Sequence, residues 1–122
     1  MEFLEDLNIP NEICPPLEAA SGRFTVYRLV DNIPIEVEDI WSYRMLYPAK
    51  IFKDECIARA CSVCTDSKDL ERLRKIPNFR TKKIIAIDIK EKDGVLLKTF
   101  TNSHYSWWIS KEFNLTSVKE AS

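Results

Sequence analysis

The seven residues Ser103-His-Tyr-Ser-Trp-Trp-Ile109 hold the chain's only histidine and two of its three tryptophans. His104 between Ser103 and Ser106 has the residue types for general-base work or for anchoring a hydrogen-bond network, because imidazole titrates near neutral pH. No carboxylate stands at a spacing that would orient it, so the plainer expectation is a structural hydrogen bond. In a strand, His104, Ser106 and Trp108 share one face while Tyr105, Trp107 and Ile109 share the other. That alternation predicts one aromatic set in the core and the other toward solvent or a partner. His104, Tyr105, Trp107 and Trp108 are therefore the candidate partner-binding residues.

Four cysteines offer the other obvious chemistry. Cys56, Cys61 and Cys64, completed by Cys14 or His104, supply the donor types of a tetrahedral zinc site. Cys56 and Cys61 lie five residues apart, however, and on one helix would point about 140° from each other at roughly 100° per residue. The Cys56-x4-Cys61-x2-Cys64 spacing also resembles the first three ligands of plant-type two-iron ferredoxins, over Cys-Ile-Ala-Arg-Ala-Cys-Ser-Val-Cys. Such a cluster takes a fourth thiolate downstream, and no cysteine follows Cys64. The expectation is no metal and no cofactor, with Cys61 and Cys64 as small apolar core residues and Cys56 as a partly buried free thiol.

A third constellation is basic. Lys68, Arg72, Arg74, Lys75, Arg80, Lys82 and Lys83 place seven cations within sixteen residues against two acids. With exposed Tyr105 and Trp107 they would make a stacking-plus-phosphate surface for nucleic acid. The alternative is a solvated helix face, with Lys82 and Lys83 guarding the aggregation-prone strand that follows them.

These groups need elements to position them. Residues 8–17 carry three prolines, and the reading is an extended arm over residues 1–22 laid on a core of residues 23–113. Phe24–Val30 is rich in β-branched and aromatic residues and reads as a strand. Residues 31–48 fit neither period and read as loop, with a helical turn near Glu38–Tyr43. Asp54 and Asp66 (or Ser67) are N-cap candidates for two short helices. One ends near Cys61 and the other before Pro77, with a short β-leaning Ser62–Thr65 between them. Lys83–Lys90 is the clearest strand, its near-continuous apolar run suiting coverage on both faces. Lys92-Asp93-Gly94 predicts a turn that returns Val95–Thr101 as its antiparallel partner, His104–Ile109 is a last strand, and residues 114–122 form a fraying tail. The fold class expected is a single α+β domain with a mainly antiparallel sheet.

The chain has 122 residues, of which 45% are hydrophobic, enough for one domain with its own core and too apolar for a disordered chain. No apolar run is long enough to span a bilayer, and the acidic Met1–Leu7 lacks the order of a secretion signal. A cytoplasmic protein without membrane contact is the expectation. The formal net charge of -1 conceals a pattern. Residues 1–49 carry nine acids and three bases, whereas residues 50–83 carry ten bases and five acids.

Several motifs carry a resemblance: Tyr27-Arg28 on an early strand, Glu55-Cys-x-Ala-Arg-Ala-Cys-Ser-Val63, Asp69-Leu70 in a helix, and Ser103-His-Tyr-x-Trp-Trp108. Across about residues 24–109 they resemble a set of small uncharacterised bacterial proteins with a Cys-x-Ala-Arg-Gly-Leu-Ser-Val-Phe-like core and a His-x-x-Trp-Trp segment. Leucine and phenylalanine at the places of Cys61 and Cys64 imply core positions rather than ligands. An arginine-bearing first strand, a helix leading into a Ser-Val strand and an Asp-capped helix also look similar to ADP-ribosyltransferase-like domains. That resemblance implies a pocket in which Arg28 contacts a phosphate, Ser62 supports the nicotinamide side and His104 stands in for the missing late glutamate. The reading favoured over both enzyme and nucleic-acid binder is an accessory protein that binds another protein through the aromatic segment and a charge-polarised surface.

Overall fold

The computed structural model describes residues 1–121. Side-chain caps start its short helices. Ser42 opens α1 (Tyr43–Leu46), its hydroxyl accepting from the Met45 amide at 3.2 Å. Asp54 accepts from the Ile57 amide at 3.0 Å and opens α2 (Glu55–Ala58). Asp66 accepts from the Lys68 amide at 2.9 Å and opens α3 (Ser67–Leu73). Each cap satisfies an amide that the first helical turn leaves without a partner. α2 stops after one turn, because Cys61 already belongs to the next strand.

The strands are β1 (Phe24–Val30), β2 (Cys61–Cys64), β3 (Lys83–Ile89), β4 (Gly94–Lys98), β5 (His104–Ile109) and β6 (Lys119–Glu120). They form one sheet in the order β4-β5-β2-β1-β3-β6, and every pairing is antiparallel. This is an α+β fold, as the mixture of helical caps and period-two segments predicts.

Two connections differ from expectation. β4 does not return beside β3; it lies at the opposite edge, paired with β5. Glu91–Asp93 is a 3-10 turn held by the Asp93 carboxylate, which accepts from the Lys90 amide at 2.8 Å. Gly94 then leads the chain against β5 at φ 133°, where an added Cβ would stand 2.2 Å from the Trp108 carbonyl oxygen. Only glycine fits there. Through Ala121 the tail is packed rather than frayed, and Ser122 lies outside the described residues. Leu115 and Val118 pack on the core, β6 pairs with β3, and the Ala121 amide donates to the Ile84 carbonyl at 3.0 Å.

Both faces of the sheet are covered. On the first, Val26, Val30, Cys61, Val63, Ile85, Ile87, Ile89, Leu96, Trp107 and Ile109 form the main core, closed by Ile40 from the 31–42 segment and by Phe113, just after β5. On the second, Trp108 packs with Cys56, Ala60 and the N-terminal residues Phe3, Leu7 and Ile9. Cys64, Ile84 and Leu70 of α3 form a smaller cluster beside them. Burial alternates along residues 2–10, with Phe3, Glu5, Leu7 and Ile9 turned inward. The Leu4 amide donates to the Ile109 carbonyl at 2.9 Å, and Ala20 exchanges backbone hydrogen bonds with Leu96, which covers part of the β4 edge. Cys14 and Cys56 form a disulfide that ties residues 1–22 to α2. This corrects the expectation of a free thiol at Cys56.

Candidate functional site

The aromatic segment lies in β5 with the alternation that a strand dictates, but neither face is left to solvent. Trp107 is fully buried, donating its indole N–H to the Asp93 carbonyl at 3.0 Å and meeting Phe113 edge to face. Trp108 is 1% exposed and donates to the Cys56 carbonyl at 3.0 Å. The expectation that one of the two is a surface hot spot is corrected. The physical reason is that residues 1–22 and α2, distant in sequence, roof the second face. Both indoles are core groups with satisfied N–H donors. His104 and Tyr105 are half-buried, with Tyr105 packed on the main core against Phe24.

Arg28, Ser62 and His104 do not assemble into one pocket. β1 and β2 are in register only at Tyr27 and Cys64, and the Arg28 guanidinium fills the gap where the strands diverge. It donates to the carbonyls of Ser62 at 2.6 Å, Asp39 at 2.7 Å and Trp41 at 3.3 Å. Three of its five donors, one from each nitrogen, go to the backbone of β2 and of the 31–42 segment, which commits the guanidinium to joining these segments rather than to gripping a phosphate. Arg28 and Ser62 share a cavity of only about 40 Å³. His104 lines a different cleft.

That second cleft, about 370 Å³, lies between α3 and the β4–β5 connection and includes Cys64, Asp69, Arg72, Phe100 and His104. His104 Nδ1 sits 2.9 Å from the Thr99 hydroxyl, which is also 2.9 Å from the Ser106 hydroxyl. Phe100, at φ 56°, packs edge-on to the imidazole. Asp69 accepts from the Ser103 hydroxyl and amide and from Arg72, and these bonds, the Ser103 hydroxyl first, hold its carboxyl below the usual range. Cys64 faces His104 across β2 and β5. His104 turns its backbone toward Thr99 instead, so the two make a non-hydrogen-bonded pair of the kind with Cα atoms about 4.5 Å apart. Burial pushes the Cys64 thiol up and the His104 imidazole down. At neutral pH the pair is thiol and neutral imidazole, with no thiolate formed in advance.

The cysteine quartet cannot hold zinc. Cys14 and Cys56 are joined to each other, while Cys61 and Cys64 are buried on opposite faces of β2. Among the described residues no group of three or more His, Cys, Asp or Glu converges as a metal site. The stacking-plus-phosphate surface does not form either. Trp107 is inaccessible, and Tyr105 lies on the face of the sheet opposite α3. Within the basic segment, Arg72 pairs with Asp69, Arg74 with Glu71 and Lys82 with Asp31. Lys68, Lys75, Arg80 and Lys83 are exposed.

The most accessible apolar surface lies at and just after α1, where the sequence suggested loop with a helical turn near Glu38–Tyr43. Tyr43, Met45, Leu46, Tyr47 and Ile51 are all exposed, Ile51 to 94%. Arg44 holds the segment from beneath, donating to Glu55 Oε1 at 2.6 Å and Oε2 at 2.8 Å and to the carbonyls of Pro48 at 2.8 Å and Lys50 at 3.0 Å. Its guanidinium also stands 4.8 Å from the Phe52 ring centre. Hydrogen bonds from Arg44 draw the Glu55 carboxyl below its ordinary range. The run of apolar residues without period between Pro34 and Lys53 is visible in the sequence, but it does not separate Ile35 and Ile40, which join the main core, from Tyr43, Tyr47 and Ile51, which stay exposed.

Beside this loop is a cleft of about 220 Å³, walled by Phe3, Leu4 and Leu7 on one side and by Val37, Ile40, Trp41 and Met45 on the other. Glu5 and Arg59 are its charged lining. Glu5 Oε1 accepts from the Ser42 hydroxyl at 2.6 Å and Oε2 from the Ser42 amide at 3.3 Å. Burial raises the Glu5 carboxyl above its usual range against the pull of these donors and of Arg59.

No family model matches the chain, and neither a curated protein nor a solved structure is similar to it at a significant level.

Proposed function

We propose that the protein acts by binding another protein, and that its contact surface is the 43–52 segment rather than the tryptophan strand. The observation that carries this reading is the Arg44 anchor. Arg44 donates two hydrogen bonds to the segment's own backbone at Pro48 and Lys50 and two to the Glu55 carboxylate of α2, and its guanidinium meets the Phe52 ring, which fastens to α2 a segment whose apolar side chains are exposed. An exposed apolar patch on a rigid support loses little entropy on docking, and tyrosines on such a patch are the residue type that dominates interface energies. Lys50 and Lys53 give it a cationic rim, consistent with a partner surface that is apolar at its centre and acidic at its edge.

The test is chemical cross-linking of purified wild-type protein into lysate of its source cells, repeated with the Tyr43→Ser/Tyr47→Ser/Ile51→Ser variant. Loss of the captured partner by about thirtyfold or more, with an unchanged circular dichroism spectrum, is the expected result. Equal capture by the variant overturns the reading.

No helix among the described residues is long and apolar enough to cross a membrane. Within the proposal, the Cys14–Cys56 disulfide favours an oxidising compartment over the cytoplasm, where thiols are kept reduced. Thiol labelling of the protein in its cells, without added reductant, should tag only Cys61 and Cys64, and only after denaturation.

A further inference from the structure

We propose that the cleft between α3 and the β4–β5 connection binds a small uncharged aromatic molecule bearing one hydroxyl group, of the phenol class, which hydrogen-bonds to His104 Nε2. This site is separate from the docking role of the 43–52 segment and does not depend on it.

The first argument is the open polar position in the cleft. The Thr99 hydroxyl holds Nδ1 of the imidazole at 2.9 Å and is itself fixed at 2.9 Å from the hydroxyl of Ser106, which is buried. Nε2 has no hydrogen-bond partner among the described residues, and it is not a sealed atom, since the one buried side-chain nitrogen or oxygen left unpaired among them is Arg74 Nε. His104 thus presents an oriented, reachable nitrogen to the cleft it lines. The Thr99 and Ser106 hydroxyls can each donate or accept, so Nε2 can present a lone pair or an N–H, and a hydroxyl group meets either. The charged residues of the lining answer each other. Asp69 accepts from Arg72 and from the amide and hydroxyl of Ser103, and Arg72 is 63% exposed, where water screens the rest of its field. Burial keeps the imidazole and the Cys64 thiol uncharged at neutral pH. A charged ligand would find no free counter-charge there and would lose hydration on entering.

The second argument is Phe100. Leu73, Ile76 and Phe100 wall the cleft, and all three are exposed apolar side chains. Phe100 stands at φ 56°, and Asn102, two residues on, at φ 57°. Asparagine is a residue type that the left-handed region favours, whereas a bulky aromatic there is an outlier. The Phe100 ring is 71% exposed, so neither the turn nor burial in the fold accounts for it. It stands edge-on to the imidazole, with 4.9 Å between ring centres, and lines the cleft. A backbone outlier that carries an exposed ring beside an oriented imidazole is the arrangement of a ligand clamp. A ligand ring in the cleft covers the three apolar side chains while its hydroxyl reaches Nε2, the usual pairing of apolar walls with one placed polar group. The cleft volume of about 370 Å³ falls at the lower end of small-molecule sites and suits a single ring.

The experiment titrates four matched probes into 15N-labelled wild-type protein at about pH 7.5, following the ring nitrogens of His104, whose signals are unambiguous because the chain has no other histidine. The probes are 4-methylphenol, 4-fluorotoluene as its analogue without the hydroxyl, 4-methylbenzoate as the anion and 4-methylbenzylammonium as the cation. Saturable binding of 4-methylphenol below about 5 mM, at least about fivefold tighter than any other probe and with Nε2 shifting more than Nδ1, is the expected result. Phe100→Ser, at an exposed position, should lower affinity for 4-methylphenol about tenfold. His104→Phe should erase the advantage of 4-methylphenol over 4-fluorotoluene. Four results overturn the proposal: no saturation by 4-methylphenol; equal binding of 4-fluorotoluene to the wild type, or a preference for the phenol that survives in His104→Phe; tighter binding of either charged probe, which assigns recognition to Arg72 or Asp69; or unchanged affinity in Phe100→Ser. The wild-type series decides the proposal even if a variant does not fold.

Discussion

Breaking the Cys14–Cys56 bond tests how the second face of the sheet is held. The bond closes a loop with a sequence separation of 42. In the chain-entropy account, a loop of that size removes about 13 cal/mol/K from the unfolded ensemble, or about 4 kcal/mol at room temperature. For a domain of this length that corresponds to roughly 15 °C in melting temperature. The change is not spread evenly, since residues 1–22 and α2 are the partners being joined, and Trp108 leans on the Cys56 carbonyl. The assay compares urea unfolding of the wild type, oxidised and with a dithiol reductant, against Cys14→Ser/Cys56→Ser, with limited proteolysis of the N-terminal segment alongside. A loss of about 3 to 4 kcal/mol in both reduced forms is expected, with cleavage before residue 20 appearing first. A loss under about 1 kcal/mol, or no change in cleavage, would refute the view that this cross-link secures the roof over Trp108.

Other outcomes follow from single contacts. Gly94→Ala should destabilise by at least about 2 kcal/mol in chemical denaturation, because the residue is both at positive φ and within 2.2 Å of the Trp108 carbonyl at its added Cβ. Arg28→Ala strands three carbonyl groups and should cost about 3 kcal/mol, and Arg28→Lys should recover only part of it, since an ammonium cannot reproduce the fork. His104 is held below its ordinary value by burial, so the folded state resists its protonation. Stability from this group is intact above the unfolded value near 6.5 and declines as pH falls from there toward the folded value. His104→Gln should flatten the difference between urea midpoints at about pH 7.5 and about pH 5.5; an unchanged difference would point to other titrating groups.

Much of the local structure was legible because its causes are local. Asp54 and Asp66 cap the helices they precede, Pro77 stands beyond the end of α3, and Phe24–Val30 and His104–Ile109 are strands over the residues their composition suggests. A cap, a ring that fixes φ and an alternation of side chains each act within a few residues. The exposed 43–52 segment was half legible. Its lack of period marked most of it as loop, but its rigidity comes from Arg44 reaching Glu55, a contact that no periodicity encodes.

What the sequence by itself determined was the strands from β1 to β5, the capped starts of α2 and α3, the α+β class and the partition of β5 into two aromatic faces. Tertiary structure alone decided that both faces are buried, that Cys14 finds Cys56, that β4 joins β5 rather than β3, and that Arg28 is consumed by backbone. Each of these rests on residues far apart in the chain competing for the same surface. The free energy that selects among pairings belongs to the whole packed core, and no short window of residues contains it.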